Sequence, residues 1–323
     1  MFINSSNILF ISLTIMGVMV SFSSMSWMMM WIGMEINLMS FLPLISMKSI
    51  LNSEFSIKYF IIQSLGSMLI MMSLMMIMMK LNNFNSIMNC SLIMKLGSVP
   101  FHNWVVSTID GLSYESILIL STIMKLSPLI MLSYTKENLM VFVYLSMLIG
   151  SINGLNQSSM KKLLTFSSIF NLSMMIYSLP MNLLWIQMMM IYSLMMTSIM
   201  IIMTKFKINY MNQMIMIEKN NLKKLMLTFC MISLGGLPPL MGFQIKVMMM
   251  DLMLKNNEYI MIINLILTSM LTMYYYMNTT ISMLMFNLMS MKLNLMSKMK
   301  IKLKFMMLLI NLNLFYPMMM TKF

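Results

Sequence analysis

The sequence predicts an all-α polytopic membrane protein with about eleven transmembrane helices. Hydrophobic residues make up 60% of the 323 residues and charged residues only 9%, whereas a soluble domain has about 25% charged residues. Apolar stretches close to the roughly 20 residues that a helix needs to cross a bilayer recur along the chain. Because backbone groups inside a bilayer must be hydrogen-bonded within each span, these stretches are expected to be helices rather than strands.

Eleven apolar stretches are the candidate spans. They cover residues 3–22, 25–46, 57–79, 87–106, 114–134, 139–155, 163–180, 183–204, 222–243, 258–282 and 303–321, and residues 244–256 extend the ninth beyond a break. The longest polar connections are too short to fold alone. We therefore expect residues 1–323 to form a single transmembrane domain.

The lysines fall mainly on one side of this predicted topology. The net charge is +13, from 21 basic and 8 acidic residues, yet no basic run alternates with aromatic residues, which argues against nucleic-acid binding. When the connections are assigned to alternate sides, fourteen lysines share the side of the N-terminus and four lie on the other. This asymmetry is the positive-inside pattern, and it predicts that the N-terminus faces the compartment of synthesis.

The composition indicates a mitochondrial origin. The chain has no alanine and no arginine, but it has 59 methionines, as expected when AT-rich codons dominate and ATA is read as methionine in animal mitochondria. The side of synthesis is then the matrix. The methionines show no ordered cluster that would favour a copper pathway. Cys90 and Cys230 have no ligand-spaced partners and His102 is the single histidine, so we expect neither a metal nor a haem in this chain.

Ionisable residues in the predicted spans are few, and the candidates for function among them are Glu35, Lys95, Lys125 and Lys246. A charge at the centre of a membrane helix costs about 2.5–3.5 kcal/mol on insertion scales, so such residues usually face the protein interior and act in transport. We predict that Glu35 and Lys95 form an ion pair, worth about 4 kcal/mol at 4 Å and an effective dielectric of 20. The alternative is that these side chains reach an interface or form purely structural pairs.

Two predicted spans contain residues that interrupt helices. These are Gly97-Ser-Val-Pro100 in the fourth span and Gly235-Gly-Leu-Pro-Pro239, followed by Gly242, in the ninth. Paired interrupted helices in two halves of a chain are typical of inverted-repeat transporters. Lys95 precedes the first break and Lys246 follows the second, the order that an inverted relation produces. Two kinked packing helices remain the alternative.

The seventh span carries an unusual number of polar side chains. Ser167, Ser168, Asn171 and Ser173 could hold water molecules inside the membrane. Equally, their hydroxyl groups could bond back to carbonyl groups of their own helix. The sequence leaves both interpretations open.

Five segments in order along the chain resemble one known family. They are Trp31-Ile-Gly-Met-Glu-Ile-Asn37; Lys58-Tyr-Phe60; Lys95-Leu-Gly-Ser-Val-Pro-Phe-His-Asn-Trp104; Asn153-Gly-Leu-Asn-Gln157 with Lys161-Lys-Leu163; and Ser233-Leu-Gly-Gly-Leu-Pro-Pro-Leu-Met-Gly-Phe243 with Lys246. Together they are similar to the subunit 2 family of the proton-pumping NADH:ubiquinone oxidoreductase, respiratory complex I, of animal mitochondria. The last eighty or so residues match only in hydropathy.

The resemblance implies an antiporter-like membrane-arm subunit of the mitochondrial inner membrane. It places the proton path on Glu35, Lys95, Lys125 and Lys246, with His102, Ser167 and Ser168 in support. It also implies that NAD, FMN, iron–sulfur clusters and ubiquinone bind to other subunits. The expected partners are neighbouring membrane-arm subunits and inner-membrane phospholipids, including cardiolipin against the basic matrix loops.

Two departures from the family pattern concern charged and aromatic positions. Val106-Ser107 stands where the family usually has Pro-Glu, and Ile123-Met124 precedes Lys125 where Trp-Gln is usual. Asp110 or Glu115 could replace the missing carboxylate. Two other functions stay open from the sequence: a free-standing cation/proton antiporter, which would work in isolation, and a scaffold, which would keep pumping after loss of Lys125.

Overall fold

The computed structural model describes residues 5–46, 50–80, 84–135, 139–215 and 221–288. The regular secondary structure of these ranges is α-helical, as predicted. The helices are α1 (Ser5–Ser23), α2 (Trp27–Ser46), α3 (Ile50–Met78), α4 (Phe84–Leu96), α5 (Asn103–Ile109), α6 (Tyr114–Ser121), α7 (Ile123–Thr135), α8 (Met140–Leu155), α9 (Met160–Tyr177), α10 (Asn182–Phe206), α11 (Met211–Ile215), α12 (Asn221–Gly235), α13 (Met241–Lys255) and α14 (Tyr259–Leu288).

Six helical segments of the described ranges are long and apolar enough to cross a membrane. They are Ser5–Ser23, Trp27–Ser46, Asn52–Met78, Tyr114–Thr135, Leu183–Phe206 and Tyr259–Met283. The first ten predicted spans all coincide with helical segments, some of them shorter or interrupted. The eleventh, 303–321, lies outside the described residues, so the number of eleven spans stays a prediction.

The helices group into two compact units. Unit 1 comprises residues 1–146 and 175–182, and unit 2 comprises residues 147–174 and 183–323, each as far as it is described. Glu35, Lys95 and Lys125 belong to unit 1, and Lys246 belongs to unit 2. That the whole chain forms one domain stays a prediction.

In unit 1, small residues bring α1 and α2 into close contact. A Cβ atom on Gly33 would lie 2.7 Å from the Gly17 carbonyl oxygen, and one on Gly17 would lie 2.3 Å from Asn37 Oδ1. Membrane helices commonly use such small residues to approach each other, because lipid provides little hydrophobic drive for association. The contact fixes α2, which carries Glu35 and Asn37, against its neighbour.

The connection between α4 and α5 lies at the first predicted break. Gly97 has φ +69°, a conformation that an L-residue with a side chain rarely adopts. Side chains donate to carbonyl groups at the end of α4: Trp104 Nε1 donates to Met94 O at 3.1 Å, and Gln63 Nε2 donates to Lys95 O at 3.1 Å. Non-helical backbone inside a membrane protein requires such replacement partners.

The predicted span 114–134 is confirmed as the helical segment Tyr114–Thr135, which is interrupted at one residue. Helix α6 ends at Ser121 and α7 begins at Ile123. At the interruption, Lys125 N donates to Thr122 O at 3.3 Å, a carbonyl group only three residues before it. Thr122 Oγ1 donates to Leu118 O at 2.7 Å, and Pro128 lacks the N–H that would bond to Met124 O. The interruption places Lys125 in the first turn of α7.

In unit 2, α12 and α13 are separated at the second predicted break. Gly236 has φ +79°, and a Cβ atom on Gly242 would lie 1.8 Å from the Ser233 carbonyl oxygen. Only glycine fits both positions, since one needs a left-handed backbone and the other a very close backbone approach. Helix α14 packs against α12 and α13.

Candidate functional site

The predicted ion pair between α2 and α4 is present. Lys95 Nζ lies 3.3 Å from Glu35 Oε1, with the lysine side chain 3% exposed and the glutamate side chain 23% exposed. Lys95 occupies the last turn of α4, so its stem crosses Gly66 of α3, where a Cβ atom would lie 2.8 Å from Lys95 Cγ. The pair is therefore held by three helices of unit 1.

A small cavity in unit 1 is lined by both Lys95 and Lys125. Its volume is about 20 Å³, and Tyr59, Gln63 and Ser127 also line it. A site that holds one water molecule needs at least about 10–15 Å³ and polar partners, and both conditions are met. Two buried lysine side chains thus line a space that a water molecule can fill.

Asn37 connects this cavity to the packing of α1, α2 and α7. It is 1% exposed and lines the cavity, and its Nδ2 donates to Ser127 Oγ at 3.1 Å. Its Oδ1 lies against Gly17 of α1. The amide therefore ties α2 to α7 one turn beyond Gly33 and helps to position Lys125, which precedes Ser127 by two residues.

Lys246 is held by backbone rather than by a carboxylate. Its Nζ donates to Gly235 O at 2.6 Å and lies 3.5 Å from Ser269 O and 3.4 Å from Thr272 Oγ1. Gly235 ends α12, and the last carbonyl groups of a helix carry partial negative charge. The break after α12 therefore gives the ammonium group of Lys246 an acceptor, while the absence of a side chain at Gly236 leaves room for it.

The supporting residues of the prediction lie in different places. His102 precedes the first residue of α5, in the connection that follows Lys95. Ser167 Oγ and Ser168 Oγ each donate to a carbonyl group of α9 at 2.8 Å. The interpretation in which these hydroxyl groups bond back to their own helix is thus present, although each oxygen keeps lone pairs to accept a second bond.

Two acidic residues could replace the family carboxylate. They lie at the end of α5 and at the start of α6. Asp110 directly follows α5 and is exposed, and Glu115 lies in the first turn of α6 and is partly buried. Neither residue lines the cavity between Lys95 and Lys125. A replacement role for either of them stays a prediction.

Several polar residues at these sites escaped prediction from the sequence. Asn37 and Gln63 lie within apolar stretches, and Thr272 lies in the last described span. Asn and Gln within apolar stretches could have indicated polar sites inside the protein, because their amide groups need hydrogen-bond partners. Thr272 gives no comparable signal, since threonine hydroxyl groups usually bond within their own helix.

Comparison with known proteins places the chain among membrane transport and respiratory subunits. The family described as NADH:quinone oxidoreductase/Mrp antiporter, TM, matches residues 24–272. The chain is 37% identical over 297 residues to a protein of Anopheles gambiae named NADH-ubiquinone oxidoreductase chain 2, covering 87% of each chain. A protein of Locusta migratoria with the same name is 33% identical over 296 residues, covering 87% of this chain and 86% of that protein.

Solved structures share the fold at lower identity. A chain of respiratory complex I from Thermus thermophilus superposes with a TM-score of 0.78 at 19% identity, covering 85% of this chain and 70% of that one. A chain of the Mrp complex from Dietzia sp. gives a TM-score of 0.74 at 14% identity, covering 85% of this chain and 59% of that one. The helical architecture is therefore common to both kinds of complex.

Proposed function

Because the chain belongs to the NADH:quinone oxidoreductase/Mrp antiporter family, we propose that its buried lysines form a proton path. The chain is an antiporter-like, proton-translocating subunit of the membrane arm of respiratory complex I. It is thus part of an enzyme, an H⁺-translocating NADH:ubiquinone reductase, and a multi-pass inner-membrane protein. The proposal concerns how its own residues move the proton.

The cavity shared by Lys95 and Lys125 carries the proposal. In the resting arrangement Glu35 stabilises the charged form of Lys95, by about 5 kcal/mol at 3.3 Å if the effective dielectric is 20. When Glu35 withdraws, Lys95 loses that stabilisation and releases its proton through water in the cavity to Lys125, which accepts it as a neutral amine. The proton moves from Lys95 to Lys125 because Lys95 is the lysine that loses its carboxylate partner.

Lys246 completes the path as the group that exchanges the proton in unit 2. Its acceptor is a backbone carbonyl at a helix end, so its charge is stabilised without a carboxylate. Moving one charge against 100 mV costs about 2.3 kcal/mol. The driving force must arrive from neighbouring subunits, since NADH oxidation and ubiquinone reduction take place elsewhere in the complex.

The finer architecture belongs to the same proposal. We infer eleven spans, with α4–α5 and α12–α13 as two discontinuous helices of an inverted repeat. Lys95 lies before one break and Lys246 after the other, which supports the inversion. The lysine asymmetry supports a mitochondrial protein whose N-terminus faces the matrix.

The partners and cofactors follow from membership of a membrane arm. We propose direct contacts with other antiporter-like subunits and with inner-membrane phospholipids, including cardiolipin. No group of three or more potential metal ligands occurs in the part of the chain that the structure describes. NAD, FMN, iron–sulfur clusters and ubiquinone are assigned to other subunits.

Replacement of Lys125 by methionine tests the proposal against the scaffold and free-standing antiporter alternatives. In sealed membrane vesicles, complex I with Lys125→Met should assemble but pump fewer protons per electron, because the group that accepts the proton from Lys95 is then missing. The matched control is Lys255→Met, the same substitution at the exposed end of α13. A normal proton-to-electron ratio in the Lys125→Met complex would remove Lys125 from the path, and cation/proton exchange by the isolated chain would favour the antiporter.

A further inference from the structure

Two adjacent tyrosines of α14 are buried together in unit 2. Tyr275 is 3% exposed and Tyr276 is 1% exposed, and their ring centroids are 4.7 Å apart. Although consecutive residues of a helix point about 100° apart, this short distance shows that both rings occupy the same region. Their hydroxyl oxygens are buried and make no hydrogen bond within the described part of the chain that meets the usual geometry.

Other hydroxyl groups of unit 2 surround these rings. Ser167 of α9 is adjacent to the Tyr276 hydroxyl group, and Tyr192 of α10, itself 1% exposed, is close enough to both phenols to affect them electrostatically. Ser167 Oγ donates its proton to Leu164 O at 2.8 Å. The serine oxygen is therefore oriented to accept a bond from outside its own helix.

The same stretch of α14 also contacts Lys246. Thr272 lies one helical turn before Tyr276, and its Oγ1 is 3.4 Å from Lys246 Nζ while it donates to Ser269 O at 2.8 Å. A Cβ atom on Gly235, whose carbonyl oxygen accepts from Lys246, would lie 3.4 Å from Tyr276 Cβ. Thr272 thus contacts the ammonium group of Lys246, and Tyr276 follows it one turn later on the same buried face of α14.

Packing alone does not explain tyrosine at these positions. Phenylalanine would fill nearly the same volume without burying a hydroxyl group. Buried hydroxyl groups in native proteins are nearly always bonded to protein or to ordered water. Two such groups beside a buried lysine therefore indicate bound water and a polar function.

We propose that Thr272, Tyr276, Tyr275 and Ser167, with ordered water between their hydroxyl groups, form a hydroxyl relay that exchanges protons with Lys246. Each oxygen accepts a proton on a lone pair from one neighbour and passes its own proton to the next. Every group returns to its neutral form, and no bond other than O–H or N–H changes. The relay rests on the proposed role of Lys246 and extends it by naming the groups that supply its proton.

The three consecutive tyrosines of α14 provide a matched experiment. Tyr274 is 63% exposed, so Tyr274→Phe removes a hydroxyl group from the same helix outside the relay. Complex I with both Tyr275→Phe and Tyr276→Phe should assemble and oxidise NADH. Its proton uptake, measured as protons per electron, should be at least twofold lower. Tyr274→Phe should match the unsubstituted complex. Equal proton uptake in the double variant and in Tyr274→Phe would overturn the relay.

Lys246→Met separates failure of the relay from failure of the proposed function. If Lys246→Met lowers proton uptake and the double tyrosine variant does not, the relay is wrong and the role of Lys246 stands. If neither lowers it, the proposed role of Lys246 is wrong and the relay falls with it. Should the double variant not assemble, a structure of the unsubstituted complex with resolved waters decides: water bonded to Tyr275 and Tyr276 supports the relay, and a dry cluster overturns it.

Discussion

Replacing Glu35 by glutamine should uncouple proton transfer without removing the side chain's volume. At 3.3 Å, the attraction between Glu35 and Lys95 is about 1 kcal/mol at the dielectric of water and about 5 kcal/mol at an effective dielectric of 20. The glutamate side chain is 23% exposed, so the value lies between these limits. Even 1.4 kcal/mol is a tenfold change in the protonation equilibrium of Lys95.

The proposed mechanism depends on the difference between the paired and separated states of Lys95, and Glu35→Gln abolishes that difference. We expect assembled complex I with Glu35→Gln to pump several-fold fewer protons per electron in sealed vesicles. Glu35→Asp is the control, because it keeps the charge at a slightly longer reach and should retain part of the activity. Unchanged stoichiometry in Glu35→Gln would refute the argument that the ion pair controls release of the proton.

Two further predictions concern the helix break and the topology. Gly236→Ala should destabilise the subunit by about 1–2 kcal/mol, because φ +79° disfavours alanine, and thermal denaturation measures this loss. It should also lower pumping, measured as proton uptake, because the new Cβ atom would lie 2.8 Å from Lys246 Cε. Gly235→Ala is the control, since a Cβ atom there would lie no closer than 3.4 Å to its nearest neighbour. An impermeant amine-reactive label should modify Lys58 and the Lys292–Lys304 cluster from the matrix side, and labelling from the intermembrane side would reverse the proposed orientation.

The helical fold, and the burial of Lys95, Lys125 and Lys246 inside the protein, could be predicted from the sequence for a simple physical reason. Charges are costly in lipid, so Glu35, Lys95, Lys125 and Lys246 stand out in stretches that are otherwise apolar. The helix breaks at Gly97 and at Gly235–Pro239 can be recognised in the sequence because glycine and proline interrupt regular helical hydrogen bonding. The pairing of Glu35 with Lys95 followed from opposite charge alone.

Features that depend on side-chain direction could not be predicted in this way. The interruption at Thr122 is confined to one residue between α6 and α7, and a hydropathy pattern does not resolve so local a change. The burial of Tyr275 and Tyr276 beside the exposed Tyr274 depends on how α14 is turned against its neighbours. A tyrosine has the same hydropathy on either face.

The two units stabilise a buried ammonium group by different means, and the difference has a functional consequence. In unit 1 a carboxylate holds Lys95, and a carboxylate on another helix can move away or become protonated, so its effect can be switched. In unit 2 a backbone carbonyl at the end of α12 holds Lys246, and that dipole keeps its sign whatever the protonation state of its neighbours. A switchable partner suits the step that responds to neighbouring subunits, whereas a fixed partner suits a group that exchanges protons repeatedly at constant affinity. On this argument we propose that the driving force enters the chain at Glu35, and that Lys246 gains and loses its proton according to the protonation of the groups around it.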